Sequence, residues 1–193
     1  MDKTIFFWIN GLAGHVSVLD FLGRVLALGA PEIFGLCLLA LWFLPPRSAV
    51  HIRRAVFYAV ASGVLALVVS AGISHFYYRP RPFVVYPSLV HLLISHGRDS
   101  SFPSDHAAGS FAFWSGIRPA GRRIATLFLV IAILVAFARV FVGAHWPTDV
   151  MAGAIIGISS GAIVLWAKSL FRPFADGLIR LFRLAPAHRK RTA

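Results

Sequence analysis

Five apolar stretches, at 19–44, 55–78, 104–117, 124–142 and 147–171, occupy most of the chain and point to a membrane-embedded protein. A helix needs about 20 mostly apolar residues to cross the hydrocarbon core of a bilayer. Backbone polar groups there must be satisfied within the segment, which selects helices. Composition agrees: 58% of residues are hydrophobic and only 13% are charged, against about 25% charged in a soluble domain. The expected architecture is all-α, a polytopic bundle of about five or six transmembrane helices formed by 1–193 as one domain. A short N-terminal interfacial helix is expected at 3–12, with its Phe and Trp rings at headgroup level. The opening run MDKTIFFWINGLAGH is too short in its apolar part to read as a signal peptide. The one cysteine, Cys37, excludes an intramolecular disulfide and reads as a packing residue.

The formal charge of +12 would suit a nucleic-acid binder, but the basic residues sit in the loops between the apolar stretches and in the tail. Arg47, Arg53 and Arg54 follow the first stretch, and Arg118, Arg122 and Arg123 follow the third. Lys168, Arg172, Arg180, Arg183, Arg189, Lys190 and Arg191 follow the fifth. With five crossings these segments share one side, which the positive-inside rule makes cytoplasmic. No nucleic-acid partner is expected. The N-terminus then lies outside, and so do three polar blocks far apart in the sequence.

The first block, HFYYRPRPF at 75–83, places Arg79 and Arg81 among prolines just past the second stretch, since a helix usually ends before a proline. A guanidinium offers a planar fork of donors that fits phosphate oxygens. The second block, SFPSDHAAGSF at 101–111, has Ser104 as a good helix N-cap. Free amides and the helix dipole make such a terminus an anion site, and His106 lies in its first turn. The third block, ARVFVGAHWPTDVMAG at 138–153, has Pro147 suited to a first helical turn. His145 and Asp149 are four apart there, so the carboxylate is expected to fix the imidazole tautomer. Arg139 ends the fourth stretch and faces the same space.

Singly, these blocks read as an interfacial arginine, a capped helix and a structural histidine. Together they describe a phosphate cradle with two histidines, one to attack phosphorus and one to protonate the leaving oxygen. Arginines and helix-terminal amides would stabilise charge on the phosphoryl oxygens. Of seven acidic residues, Asp2, Asp20, Glu32 and Asp176 read as placed away from this site. A two-metal centre needs more carboxylates than remain, so catalysis without metal or cofactor is expected.

The blocks resemble the type-2 phosphatidate phosphatase superfamily, whose signature is K-x6-R-P, then P-S-G-H, then S-R-x5-H-x3-D. Here they read Ser74-x6-Arg81-Pro82, Pro103-Ser104-Asp105-His106 and Ala138-Arg139-x5-His145-x3-Asp149, within about 55–170. Ser74 stands where the family has a lysine, Asp105 replaces the glycine and Ala138 the serine. Arg79 could compensate for the lost lysine, while the Asp105 carboxylate would repel phosphate unless it points away or pairs with an arginine. The run VHLLISHGRDSSFPSDHAAG resembles the bacitracin-resistance branch of undecaprenyl-diphosphate phosphatases, which shares the lysine and glycine departures.

The resemblance implies that His145 becomes a phosphohistidine, that Asp149 orients it and that His106 protonates the leaving group. Arg81, Ser104 and Arg139 would hold the phosphate, with Asp105, Arg79 and Ser74 beside them. His91, His96, Arg98 and Asp99 have no role set by the motif; a second phosphate or loop order are both open. The implied reaction converts undecaprenyl diphosphate to the monophosphate outside a bacterial inner membrane, recycling the cell-wall carrier lipid. Other substrates to weigh are phosphatidylglycerol phosphate, diacylglycerol diphosphate and lipid A. A non-catalytic lipid-phosphate flippase is a further alternative.

Overall fold

Prolines and glycines set most of the helix boundaries. The computed structural model describes residues 1–182 and 184, and all regular structure among them is helical. In chain order come α1 (Asp2–Asn10), α2 (Ser17–Leu28), α3 (Ala30–Phe43), α4 (Val50–Phe76) and the single turn α5 (Pro82–Val85). Then follow α6 (Asp105–Ile117), a 3-10 turn (Arg118–Ala120), α7 (Arg122–Phe141), α8 (Pro147–Trp166) and α9 (Lys168–Leu181). Arg183, Arg189, Lys190 and Arg191, counted in the basic tail, lie outside the described residues.

Three helices, α4, α7 and α8, are each long and apolar enough to cross a membrane. The expected span 19–44 is a broken pair instead, with α2 and α3 meeting at 65°, and it makes a fourth crossing if taken as one. Pro31 explains the break: it has no N–H to give the Ala27 carbonyl four residues back. The expected span 104–117 forms α6, whose 13 residues reach only about 20 Å, short of the roughly 30 Å core. The expected span 147–171 ends at Trp166, and α9 follows as a separate amphipathic helix.

The short α6 is the centre of the bundle, packed against α4 on one side and α8 on the other. Small residues permit this. Gly153, Gly157 and Gly161 recur every four residues along α8, and a Cβ on any of them would run into Ser104, Ala108 or Ser115 of the α6 segment. Close approach through small residues is how helices associate where water supplies no driving force. A second core joins Phe34, Trp42, Ala59, Ile117, Phe128 and Val135, with Cys37 packed at its edge. Arg53 is buried inside the far end, donating to the carbonyls of Trp42 (2.9 Å), Pro45 (2.5 Å) and Pro46 (3.0 Å). It caps α3 rather than lying free in a basic loop. Arg54 pairs with Asp176 at 2.6 Å and ties α9 to the N-terminal end of α4.

The N-terminal helix is more than interfacial. Trp8 is exposed as expected, but Phe6 is fully buried and its ring lies 5.1 Å from that of Trp146. Buried Asn10 donates to the carbonyls of His91 (2.9 Å) and Phe141 (2.8 Å) and accepts from the His91 amide at 3.0 Å. The helix α1 is thereby fastened to the end of α7 and to the long loop between α5 and α6. That end of the bundle, where α4 and α7 finish and α6 and α8 begin, carries the polar blocks.

Candidate active site

A turn of unusual backbone shape presents the central histidine. Gly143 follows α7 with φ +84°, and a Cβ there would lie 2.8 Å from Val90 and 3.0 Å from the His91 carbonyl. Only glycine enters that region freely. The chain then turns inward, and His145 is buried at 2% exposure just before Pro147 opens α8.

The two ring nitrogens of His145 have opposite partners. Nδ1 lies 2.8 Å from the carbonyl oxygen of Ser101, which can only accept, so Nδ1 carries the proton. Nε2 lies 3.1 Å from Arg81 Nη1 and 3.2 Å from Arg139 Nη2, which can only donate, so Nε2 presents a lone pair. Burial, with Arg139 and Arg81 alongside, pushes this imidazole well below its ordinary value and keeps it neutral. A neutral ring with its free nitrogen between two guanidinium groups has the chemistry a nucleophile beside an anion needs.

The direct Asp149–His145 pairing expected from their spacing is replaced by a relay. Asp149 Oδ2 is 3.9 Å from His145 Nδ1, too long for a hydrogen bond. It accepts instead from the Ser101 hydroxyl at 2.5 Å and the Trp146 amide at 3.0 Å. The carboxylate orients Ser101, and the Ser101 carbonyl orients the ring. A backbone carbonyl leaves no trace in a residue pattern, which is why the sequence did not reveal it.

Arg79 is displaced from its expected place in the cradle. It donates to Asp149 Oδ1, to Thr148 Oγ1 at 2.7 Å and to Asp2 Oδ2 at 2.6 Å. It therefore braces the carboxylate from behind and does not replace the family's lysine. Asp2, read from sequence as remote, belongs to this brace and also accepts from the Thr148 amide (3.1 Å) and hydroxyl (2.7 Å). Burial works against both charges, but Asp2 and Asp149 keep the Arg79 guanidinium above its ordinary value. The bonds from Thr148 and Arg79 likewise hold Asp2 below its own.

Arg81 is 4% exposed and fully engaged. It donates to the carbonyls of Ala144 (2.9 Å) and Ser100 (3.0 Å) and pairs with Asp99 at 3.0 Å. Arg139, 1% exposed, donates through Nη1 to the Ala27 carbonyl at 2.9 Å, the group left open by Pro31. Its Nη2 serves both His145 and His96 Nε2, the latter at 3.1 Å. His96, unassigned by the motif, thus joins the site, its ring centroid 6.2 Å from that of His145. Burial, Arg81 and Arg139 lower its affinity for a proton. Of the other unassigned residues, Asp99 also reaches the site, whereas Arg98 and His91 do not line it. Arg98 accepts from Tyr78 through its carbonyl at 3.4 Å, and His91 faces Asn10.

These groups surround a cavity of about 550 Å³ lined by Arg81, His96, Asp99, Asp105, His106, Arg139 and His145. Ser74 lines it too, its hydroxyl donating to the Phe102 carbonyl at 3.1 Å, so the lysine position holds a short neutral group. Asp105 accepts a hydrogen bond from Ser70 of α4; its partner is a hydroxyl and not an arginine. Ser104 stands at the N-cap of α6, but its side chain makes no capping bond. Its buried Oγ and Arg139 Nε have no hydrogen-bond partner among the described residues. An unpaired buried polar group costs about 1–3 kcal/mol. Arg139 lines the cavity and Ser104 sits between its lining residues Pro103 and Asp105, a setting that suits an anionic ligand.

An all-helical membrane bundle with paired histidines and arginines at one end defines a class of membrane phosphatases. The chain belongs to the PAP2 superfamily, whose pattern matches residues 52–172. It is 35% identical over 182 residues to undecaprenyl-diphosphatase BcrC of Bacillus subtilis, covering 94% of this chain and 92% of that one. It is 32% identical to the bacitracin transport permease protein BcrC of Bacillus licheniformis, over 86% of this chain and 80% of the relative. The fold matches the crystal structure of Aquifex aeolicus LpxE with a TM-score of 0.71 and 26% identity, covering 84% of this chain and 93% of that one.

Proposed function

We propose that this protein hydrolyses undecaprenyl diphosphate to undecaprenyl phosphate by way of a phosphohistidine at His145. The observation that carries the reading is the neutral His145 ring, its Nε2 lone pair set between Arg81 and Arg139 in a cavity large enough for a diphosphate.

The entering phosphate takes over the guanidinium hydrogens now directed at Nε2. His106, neutral before substrate binds, takes up a proton as the anionic diphosphate enters beside it. The Nε2 lone pair forms an N–P bond while the bridging P–O bond breaks. The electron pair then passes to the bridging oxygen, which takes that proton as undecaprenyl phosphate leaves. Water then attacks phosphorus, gives a proton back to His106 and releases orthophosphate, and Nε2 regains its lone pair. Arg81, Arg139, the Ser104 hydroxyl and the α6 amides stabilise the phosphoryl oxygens during both steps. Ser101 keeps the Nδ1 proton in place, and Asp149, braced by Arg79, keeps Ser101 in place. Asp105 and Ser74 contribute at the rim.

The whole chain acts as one unit in a bacterial inner membrane, its site facing the extracytoplasmic side. The basic segments around Arg47, Arg118 and Lys168 at the other end of the bundle support that orientation. The test is phosphate release from undecaprenyl diphosphate by purified protein in detergent, with His145→Ala alongside. Release by the wild type and none by the variant is expected. No release, or equal release by both, overturns the reading. Phosphatidylglycerol phosphate, diacylglycerol diphosphate and lipid A in the same assay rank the lipids by kcat/KM.

A further inference from the structure

An apolar groove adjoins the polar cavity, the two sharing Asp105 and His106 in their walls. The groove, of about 220 Å³, runs between α3 and α6. Beyond that shared wall its lining is hydrocarbon and aromatic. Phe34 of α3 and Phe113 of α6 face one another with ring centroids 5.3 Å apart, and Leu67 of α4 closes the side. It begins at Ala30 and Pro31, directly after the α2–α3 break.

We infer that this groove receives the isoprene units next to the diphosphate, and that Gly35 and Gly109 keep it open for them. The inference rests on the proposed function and adds the seat of the lipid tail to it. The two glycines show where the groove is widest. At Gly63, Gly116, Gly153, Gly157 and Gly161 an added Cβ would strike a neighbouring helix, so close packing accounts for them. At Gly35 and Gly109, which line the groove, an added Cβ meets nothing within 4 Å. Packing does not require glycine at either place, and glycine weakens a helix interior relative to alanine. Bare backbone there widens the groove instead.

The chemistry of the shared wall selects the same occupant. A lipid diphosphate is anionic at one end and apolar from its first carbon onward. His106, placed where the two cavities meet, would then lie beside the bridging oxygen it protonates. A tail entering from the bilayer leaves an environment as apolar as the groove, so shape and dispersion contacts decide affinity rather than hydrophobic transfer. Branched isoprene units pack against the edge of this aromatic pair through the same contacts.

The test compares Gly109→Ala, Gly109→Leu and Gly35→Leu with the wild type in mixed micelles. KM and kcat are measured for undecaprenyl diphosphate, diacylglycerol diphosphate and dimethylallyl diphosphate, whose single isoprene unit hardly enters the groove. The leucine variants should raise KM for undecaprenyl diphosphate about tenfold, a factor worth 1.4 kcal/mol, while kinetics with dimethylallyl diphosphate stay unchanged. Their Tm should not fall, because each replacement favours the helix. An unchanged KM for the long substrate, or an equal loss with the short one, overturns the assignment. An equal rise for diacylglycerol diphosphate overturns the preference for isoprenoid chains. A wild type that cleaves neither prenyl diphosphate overturns the proposed function itself, a failure visible before any variant is made.

Discussion

Arg139 donates across 2.9 Å to the carbonyl of Ala27, the acceptor that Pro31 strips of its helical partner. The bend in the broken span and the aim of the arginine thus have one cause. With Nη1 held there, Nη2 is left to face His145 and His96. A lysine carries the same charge but cannot fork between an anchor and a phosphate. Arg139→Lys should therefore lose about 10²–10³ in kcat, the usual cost of a missing transition-state donor. Phosphate release kinetics check this, and a loss below about threefold would mean that point charge alone suffices.

The correction at Arg79 separates two arginines that sequence placed side by side. Arg81 faces His145 in the cavity, whereas Arg79 braces Asp149 and Asp2 behind it. Arg81→Ala should raise KM and lower kcat. Arg79→Ala should leave KM near its wild-type value and lower kcat through a loosened His145. It should also cost about 1–3 kcal/mol of stability, because a buried carboxylate loses a donor. Asp2→Asn should reproduce the kcat effect in milder form and Asp2→Glu should partly restore it. Steady-state kinetics and thermal melts of the four variants read out both.

The pH profile follows from the state of His145. Its imidazole is held well below the ordinary value of 6.5 by burial and by two arginines. The free enzyme therefore keeps its nucleophile unprotonated at pH 6.5, and kcat/KM, which reports free-enzyme groups, should keep its acid limb below that point. The sign for stability is the same. Above pH 6.5 the ring is neutral folded and unfolded, and His145 contributes no slope. As pH falls, the unfolded chain takes up the proton first, so stability is lost progressively toward the folded value. An acid limb of kcat/KM at or above pH 6.5 would contradict this state.

Much of the site was legible because helix ends carry strong signals. The prolines at 80, 82, 103 and 147 mark where helices stop and start, and charge bias put those ends on one side. Those signals gather Arg81, His106, Arg139 and His145 with other polar residues at one end, and the three-block motif singles these four out. The relay through Ser101 was not legible, since four-residue spacing suggested direct contact and the carbonyl that intervenes is common to all residues. Asp2 was read as remote because sequence distance hides the fastening of α1 by Asn10. The break at 29–31 was visible in Gly29-Ala30-Pro31, but hydropathy averaged over 19–44 smoothed it away. The mere 13 residues of α6 were legible, and their central place was not, because it depends on glycines of another helix.

Those glycines give a prediction of opposite sign to the groove variants. Gly157→Ala puts a methyl into the α6 backbone near Ala108 and Ala112. It should lower stability by about 1–3 kcal/mol, as overpacking does, with activity falling for long and short substrates alike. Thermal melts beside Gly109→Ala check the contrast, and equal melting of the two would show that α6 and α8 adjust freely.

The phosphohistidine itself is the most direct target. Protein quenched during turnover of undecaprenyl diphosphate carrying a labelled terminal phosphate should hold acid-labile label on Nε2 of His145. His106→Ala should gain that label more slowly, because it lacks the acid for the leaving oxygen, and His145→Ala should carry none. Turnover without label in the wild type, or label that survives His145→Ala, would contradict nucleophilic attack by this ring.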